Sequence, residues 1–394
     1  MSRPWIALVL TAVFSPATAA AERHVRNSAE LGAVVGSARP GDRIRIAPGN
    51  YSGYFSFSGL RGTAQNPIVI TAADPDRPPR ISGDRSGVRF SSVSHLELGD
   101  LVLTGTRGNA LNIDDGGDPD KPSRFITLRN LRISDVGPQG NVDAIKLSGV
   151  DDVRVSGCVI ERWASLGSGI DLVGCHDVLL VGCQFRGGGA NAVQAKGGSL
   201  NVTIRRCRFE DCGERALNLG GHTDPEAFRP PLSAFPKDGR YELKNVTVEG
   251  CVFRGSEAAV ALVGVDGAEV RFNTIVRPTH FAFRILQEND GPGFVPCRFG
   301  VIENNLIVFR SQHWRDGGVN VGPKTDPRSF RFARNLWYCE DRPAASKPSL
   351  PVPERDGIVG QDPLFRDPSR HDFAVKPGSP ATDRGAHALP DPPD

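Results

Sequence analysis

A short motif recurs along this chain: a small residue, then apolar, variable, apolar, variable. It reads Ala110-Leu111-Asn112-Ile113-Asp114, Ala144-Ile145-Lys146-Leu147-Ser148, Gly169-Ile170-Asp171-Leu172-Val173 and Ala192-Val193-Gln194-Ala195-Lys196, and continues at Ala216, Ala259, Ala282 and Gly318. Where no insertion intervenes, the copies lie about 23–25 residues apart, a period typical of solenoids, whose coils cannot bury a core singly. A second strand precedes each copy. Its alternation puts Leu131, Cys158, Cys183, Cys207, Cys251, Asn273, Asn305 and Asn335 in one column, and Ile133, Ile160, Phe185, Phe209, Phe253, Ile275, Ile307 and Trp337 in another. Period-two spacing places both columns on one face. Strands this short, with no helical period between them, predict coils of a few strands joined by tight turns and stacked as parallel sheets. The expected fold is all-β, a single-domain right-handed parallel β-helix.

The chain has 394 residues, with 45 Gly and 31 Pro, too much backbone punctuation for a helical bundle. Residues 1–20 run from Arg3 through an apolar stretch to a small-residue end, the order of a secretory signal. The predicted domains are a signal at 1–20, the β-helix at 21–340, and a Pro-rich capping segment at 341–394 lying along the last coil. A secreted or periplasmic location follows, and export permits disulfides. In-register stacking makes Cys158, Cys183, Cys207 and Cys251 an interior thiol ladder, continued by an Asn ladder. Cys297 and Cys339 stand in loop-like sequence, where pairing is open. A net charge of +2 offers nothing to a nucleic acid or an anionic membrane, so neither partner is expected, and the chain is expected to be a monomer.

In each copy the residue between the two apolar positions faces solvent. That outward column reads Asn112, Lys146, Asp171, Gln194, Asn218, Ala261, Arg284, Asn320, and the next reads Asp114, Ser148, Val173, Lys196, Gly220, Val263, Leu286, Gly322. Amides and unlike charges share a continuous strip, beside insertions at about 223–244 and 289–298 that leave one corner and should wall one side. This is groove geometry for an extended polymer. Lys146 and Asp171 form either a surface ion pair or substrate contacts. Gln194 and Asn218 are either an exposed amide pair or hydroxyl ligands. Arg284 has no acid in its column, which favours anion binding. Lys196 precedes Gly197-Gly198 and is either a snorkelling surface Lys or a base. His222 is a second base or a turn residue, and Glu288 occupies the equivalent place two coils on. Arg215 begins its strand, where parity turns it inward or to the corner. Hydrolysis of a glycoside needs two carboxyls across the bond, and the central column supplies Asp171 alone. Elimination from a uronate needs a base and a cation for the carboxylate, which Lys, Arg, amides and His supply.

Residues GDRIRIAPGNYSG at 41–53, the stretch NAVQAKGGSLNVTIRRCRFEDCGERALNLGGH at 191–222 and the coil period resemble the chondroitinase-B and alginate-lyase type of β-helical polysaccharide lyase. The resemblance implies that Lys196, before Gly197-Gly198-Ser199, is the base, that an Arg from a later coil assists, and that calcium neutralises the uronate. The family's arginine position falls on Gly220, which leaves Arg215 or Arg284 in that role, and no acidic calcium ligand set matches. The function implied is cleavage of an acidic polysaccharide by β-elimination. Catalytic candidates are Lys196, Arg284, His222 and Arg215, and substrate-binding candidates are Lys146, Asp171, Gln194, Asn218 and Glu288. A β-helical glycoside hydrolase and a non-catalytic glycan-binding solenoid are the alternatives.

Overall fold

A computed structural model describes residues 21–138 and 140–390; the segment read as a secretory signal lies outside them. The described residues form three parallel sheets, two of twelve strands and one of ten. Each coil contributes one strand to each sheet, as in Asn191–Lys196, Ser199–Arg205 and Arg208–Glu210, after which Arg215–Gly220 opens the next coil. This is the parallel β-helix the repeats predict, with the hand that parallel crossovers take. Among the described residues no helix is long and apolar enough to cross a membrane.

The interior follows the columns. Phe185, Phe209 and Phe253 stack with ring centroids 5.0 and 4.8 Å apart, close to the coil rise. Their neighbours Cys158, Cys183, Cys207 and Cys251 are buried and free, each thiol directed at a backbone carbonyl of the preceding coil, as Cys207 Sγ is at Leu180 O, 3.8 Å away. Cys297 and Cys339 do not pair. Cys297 Sγ turns to Leu262 O and Cys339 Sγ to Asp341 Oδ1. Above the thiols, Asn273 Nδ2 donates to Asn305 Oδ1 at 3.0 Å and Asn305 Nδ2 to Asn335 Oδ1 at 2.9 Å. Each of these amides also caps a carbonyl of the coil below, Val248, Val270 and Ile302 in turn. The ladder ends on Glu354, whose carboxylate accepts from Asn335 Nδ2 and Trp337 Nε1.

Both ends are covered. A helix at Ser28–Gly36, which the repeat pattern gave no reason to expect, lays Leu31 and Val35 over the first coil. Asn27 accepts from Glu30 N and Glu30 from Arg26 N, a reciprocal cap. The carboxy-terminal segment does more than lie along the last coil. It supplies Glu354 and then runs back down the cylinder, where Gly385 N donates to Asn304 O, Ala386 N to Thr274 Oγ1 and Arg206 Nη2 to Pro390 O. Unpaired strand edges are covered at the two ends of the cylinder, and the returning segment binds its flank.

Asn305→Ala removes the donor to the Val270 carbonyl and the acceptor of the Asn273 backbone N–H and of one of its two side-chain N–H bonds, the other staying on Val248 O, and is expected to cost about 2–3 kcal/mol in urea unfolding. Cys207→Ala, which removes one sulfur, should cost about 1 kcal/mol. Equal losses for the two would contradict the amide ladder as the stronger of the two stacks.

Candidate functional site

The ten-stranded sheet presents the outward column in the expected register. Lys146 pairs with Asp171, Asp171 with Gln194, Gln194 with Asn218, Asn218 with Ala261, Ala261 with Arg284 and Arg284 with Asn320. Parallel pairing puts neighbours in this column about 4.8 Å apart. Both insertions wall the side where the strands end, and they hold each other. Arg240 N donates to Gly293 O and Val295 N to Arg240 O, and Phe228 meets Phe294 edge-on. Buried Glu242 locks this wall to the sheet, accepting from Gly197 N, Thr223 N and Oγ1, and Asn289 Nδ2. Buried Arg229 anchors the wall from beneath, on Gly174 O and Asp151.

Between wall and sheet lies an open cleft of about 470 Å³ lined by Lys146, Ser148, Val173, Lys196, His222 and Thr223, among others. Lys196 has no ion pair or hydrogen bond from its ammonium among the described residues. Gly221 crosses the sheet beside it. A Cβ there would stand 3.2 Å from Gln194 Nε2, 3.7 Å from Asn218 Nδ2 and 3.9 Å from Lys196 Cδ, so these three side chains converge on bare backbone. Gln194 and Asn218 are therefore not an exposed amide pair, and Asn218 is buried. His222 is exposed at the cleft mouth.

Arg215 departs from the expectation that it turns inward or to the corner. Its guanidinium lies over the outer face, donating to Asn218 Oδ1 at 2.8 Å and to Glu288 Oε1 at 2.9 Å. Strand entry here carries a three-residue offset, Arg215 to Asn218, which breaks the period-two parity on which that expectation rested. Fully buried Ala261, next to Asn218 in the column, leaves room for the guanidinium. Glu288 is thus the arginine's counter-ion. Arg284 donates to Asn320 Oδ1 and lies over the Phe281 ring, its centroid 5.2 Å away. Burial, and then the neighbouring Arg215, draw its pKa down.

Lys146 and Asp171 are not a surface pair. Asp171 is 4% exposed, and Lys146 bridges it to a second buried carboxylate, Asp143, 3.7 Å from Nζ. Asp143 also accepts from Ser168 N at 2.8 Å. Burial, and then repulsion from Asp171, push Asp143 up to about 6. The Asp171 Oδ1 is buried without a hydrogen-bond partner. Sequence reasoning missed Asp143. The signal was present in the polar run Asn109, Asp143, Ser168, Asn191, Arg215, each three residues before the central column. Among the described residues no three His, Cys, Asp or Glu side chains converge as metal ligands, and an ammonium already fills the Asp143–Asp171 pair. The donor set does not fit calcium.

The sequence profile described as "Right handed beta helix region" matches residues 86–227. No protein of curated function matches the chain. Among solved structures, it is similar to an alginate lyase from Paenibacillus sp. str. FPU-7, with TM-score 0.53 and 15% identity over 78% of this chain and 98% of that one. A rhamnogalacturonan lyase gives TM-score 0.55 at 14% identity over 79% and 87%. The GH136 lacto-N-biosidase from Eubacterium ramulus gives 0.56 at 11% over 86% and 67%. At these identities the likeness is one of fold.

An Asp whose folded pKa is raised is protonated in the folded state where the unfolded chain has already lost the proton, so stability falls as pH rises from about 4 to about 6. Asp143→Asn keeps the Ser168 contact and removes the titration. Its stability relative to wild type should rise by up to about 3 kcal/mol across that window. Parallel stability curves for the two proteins from pH 4 to 7 would contradict the assignment.

Proposed function

We propose that the chain is an exported, monomeric polysaccharide lyase that cleaves an acidic, uronate-containing polysaccharide by β-elimination on the outer face of the ten-stranded sheet. One observation carries this reading. The Lys196 amino group, which makes no ion pair or hydrogen bond among the described residues, lies in the coil next to Asn218, two residues along the strand from Gln194, the residue that pairs with Asn218, and Asn218 holds the Arg215 guanidinium. A base and a carboxylate-binding cation are the two parts the reaction needs.

In the reaction so read, Lys196 in its amine form takes the proton beside the uronate carboxylate. The electron pair left behind forms the carbon–carbon double bond as the glycosidic carbon–oxygen bond breaks, and the leaving oxygen is protonated. Arg215 stabilises the charge that builds on the carboxylate. Its present partner Glu288 is partly exposed, so substrate binding exchanges one carboxylate for another at little desolvation cost. Arg284 lies three rungs above Gln194, roughly 14 Å along the axis, and serves a neighbouring uronate. Gln194 and Asn218 receive hydroxyls, Lys146, paired with the buried Asp171, lines the cleft floor, and His222 is the second candidate base at the cleft mouth.

A second reading has its own observation. Asp143, with its raised pKa, and Asp171 share one ammonium, which places an acid beside a second carboxylate, the pair of groups that glycoside hydrolysis uses. The products separate the two. Under elimination, wild type releases unsaturated ends from at least one of alginate, pectate or a glycosaminoglycan, followed by absorbance, and Lys196→Ala lowers turnover by about 10²–10⁴ while binding is kept. Reducing ends without unsaturation, lost in Asp143→Asn and kept in Lys196→Ala, would replace the lyase with a hydrolase. Equal glycan binding by wild type and Lys196→Ala with no product from either would leave a binding solenoid.

A further inference from the structure

The twelve-stranded sheet that contains Ser199–Arg205 turns one residue near the start of its longer strands into the left-handed region, where a bulky side chain is strained. Coil after coil meets this with a residue that tolerates it, namely His95, Asp152, Asp177, Asn201, Asn245 and Gly267, aligned by the pairs on either side. Phe125 and Phe299 break the rule, at φ 59° and 58°. Phe125 gains a ring partner, stacking on His95 with centroids 4.3 Å apart. Phe299 stacks on no other ring among the described residues and leaves 56% of its surface in solvent. Arg298 covers one face of it at 4.9 Å, but that guanidinium is already held by Asp266. Neither burial nor ring packing accounts for a phenylalanine at this strained position.

Phe299 lines a groove of about 390 Å³ together with Asn201, Thr203, Asn245, Thr247 and Glu269. The size is within the usual range for small-ligand sites, and the groove shares no residue with the Lys196 cleft. An outer amide ladder ends in it. Asn201 Nδ2 donates to Asp177 Oδ1 at 2.9 Å, and Asn245 Nδ2 donates to Asn201 Oδ1 at 3.2 Å. The next rung is Gly267, so the ladder stops with Asn245 Oδ1 accepting from no group among the described residues. A Cβ on Gly267 would meet only Asn245, 3.4 Å from that oxygen. A gap one rung wide therefore separates an oriented acceptor from a phenylalanine ring. The other polar side chains of the groove are neutral amides and hydroxyls, and its one acid, Glu269, pairs with Arg271. We infer that this groove holds a pyranose ring of a neutral polysaccharide, with the C–H face of the sugar on Phe299 and its hydroxyls on Asn245, Thr203 and Thr247. No cation lines the groove, so a uronate carboxylate has no partner there. The site holds glycan without reacting on it, and it stands whether or not the Lys196 cleft performs an elimination.

The test is ligand-observed saturation-transfer NMR on the full chain, with neutral tetrasaccharides of glucose, mannose, galactose and xylose, and with tetragalacturonate as the acidic comparison. At least one neutral tetrasaccharide is expected to receive saturation on its ring C–H protons, and tetragalacturonate at equal concentration should not displace it. Phe299→Asn removes the ring and suits the left-handed backbone. It should weaken binding at least about tenfold while thermal unfolding stays at or above wild type, because strain is relieved. Gly267→Asn carries the amide ladder through the gap and should weaken binding comparably in a folded protein. Lys196→Ala should leave binding unchanged. The inference would be overturned by no transfer to any neutral tetrasaccharide, by binding that survives both substitutions or is lost in Lys196→Ala, by displacement with tetragalacturonate, or by a Phe299→Asn protein less stable than wild type. Failure of the lyase reading is read separately, as the absence of unsaturated product from uronate polymers, and leaves these outcomes untouched.

Discussion

Parallel in-register stacking is the constraint on which everything else in this molecule depends. Each coil must place its backbone hydrogen-bonding groups opposite those of the next, so every side chain acquires a fixed neighbour about 4.8 Å above and below. Inside the cylinder this rewards residues that satisfy copies of themselves. Phenylalanine rings stack face to face, and asparagine amides pass a hydrogen bond from coil to coil until Glu354 receives the last. An Asn anywhere else in such a core would be an unpaired polar group. Outside the cylinder, the same rule turns single polar residues scattered over many coils into an ordered strip.

Electrostatics then divides that strip. At one end two buried carboxylates hold one ammonium, a cluster whose charge changes as Asp143 titrates. One coil beyond Gln194, Arg215 is held between the Asn218 amide and the partly exposed Glu288. Between them Lys196 faces the cleft without a counter-ion, with Gly220 and Gly221 leaving the space beside it open. The walls are held by groups that take no part in the proposed chemistry. Glu242 satisfies four donors from the insertions and the Gly197 turn, and Arg229 reaches under the wall to Asp151.

Much of this could be read from the chain because period-two alternation and a coil repeat are both local and both strong. The central column, the thiol and amide ladders and the corner shared by the two insertions needed no coordinates. Strand entry was less legible. The three-residue offset from Asp143 to Lys146 and from Arg215 to Asn218 defeats a parity argument, and so Asp143 went unseen and Arg215 was turned the wrong way. Burial was also hidden, since nothing in the pairing of Lys146 with Asp171 says that a third charge closes over it. The path of the carboxy-terminal segment depends on irregular contacts such as Gly385 with Asn304, which have no periodicity to betray them.

The proposed elimination requires Lys196 and Arg215 to act on one uronate. A crystal structure of the Lys196→Ala protein with a bound uronate oligosaccharide tests it most directly. A uronate carboxylate is expected on the Arg215 guanidinium in place of Glu288, with the hydrogen-bearing carbon beside that carboxylate about 3–3.5 Å from where the lysine nitrogen would stand. A glycosidic oxygen seated instead between Asp143 and Asp171, with the carboxylate turned away from Arg215, would contradict it.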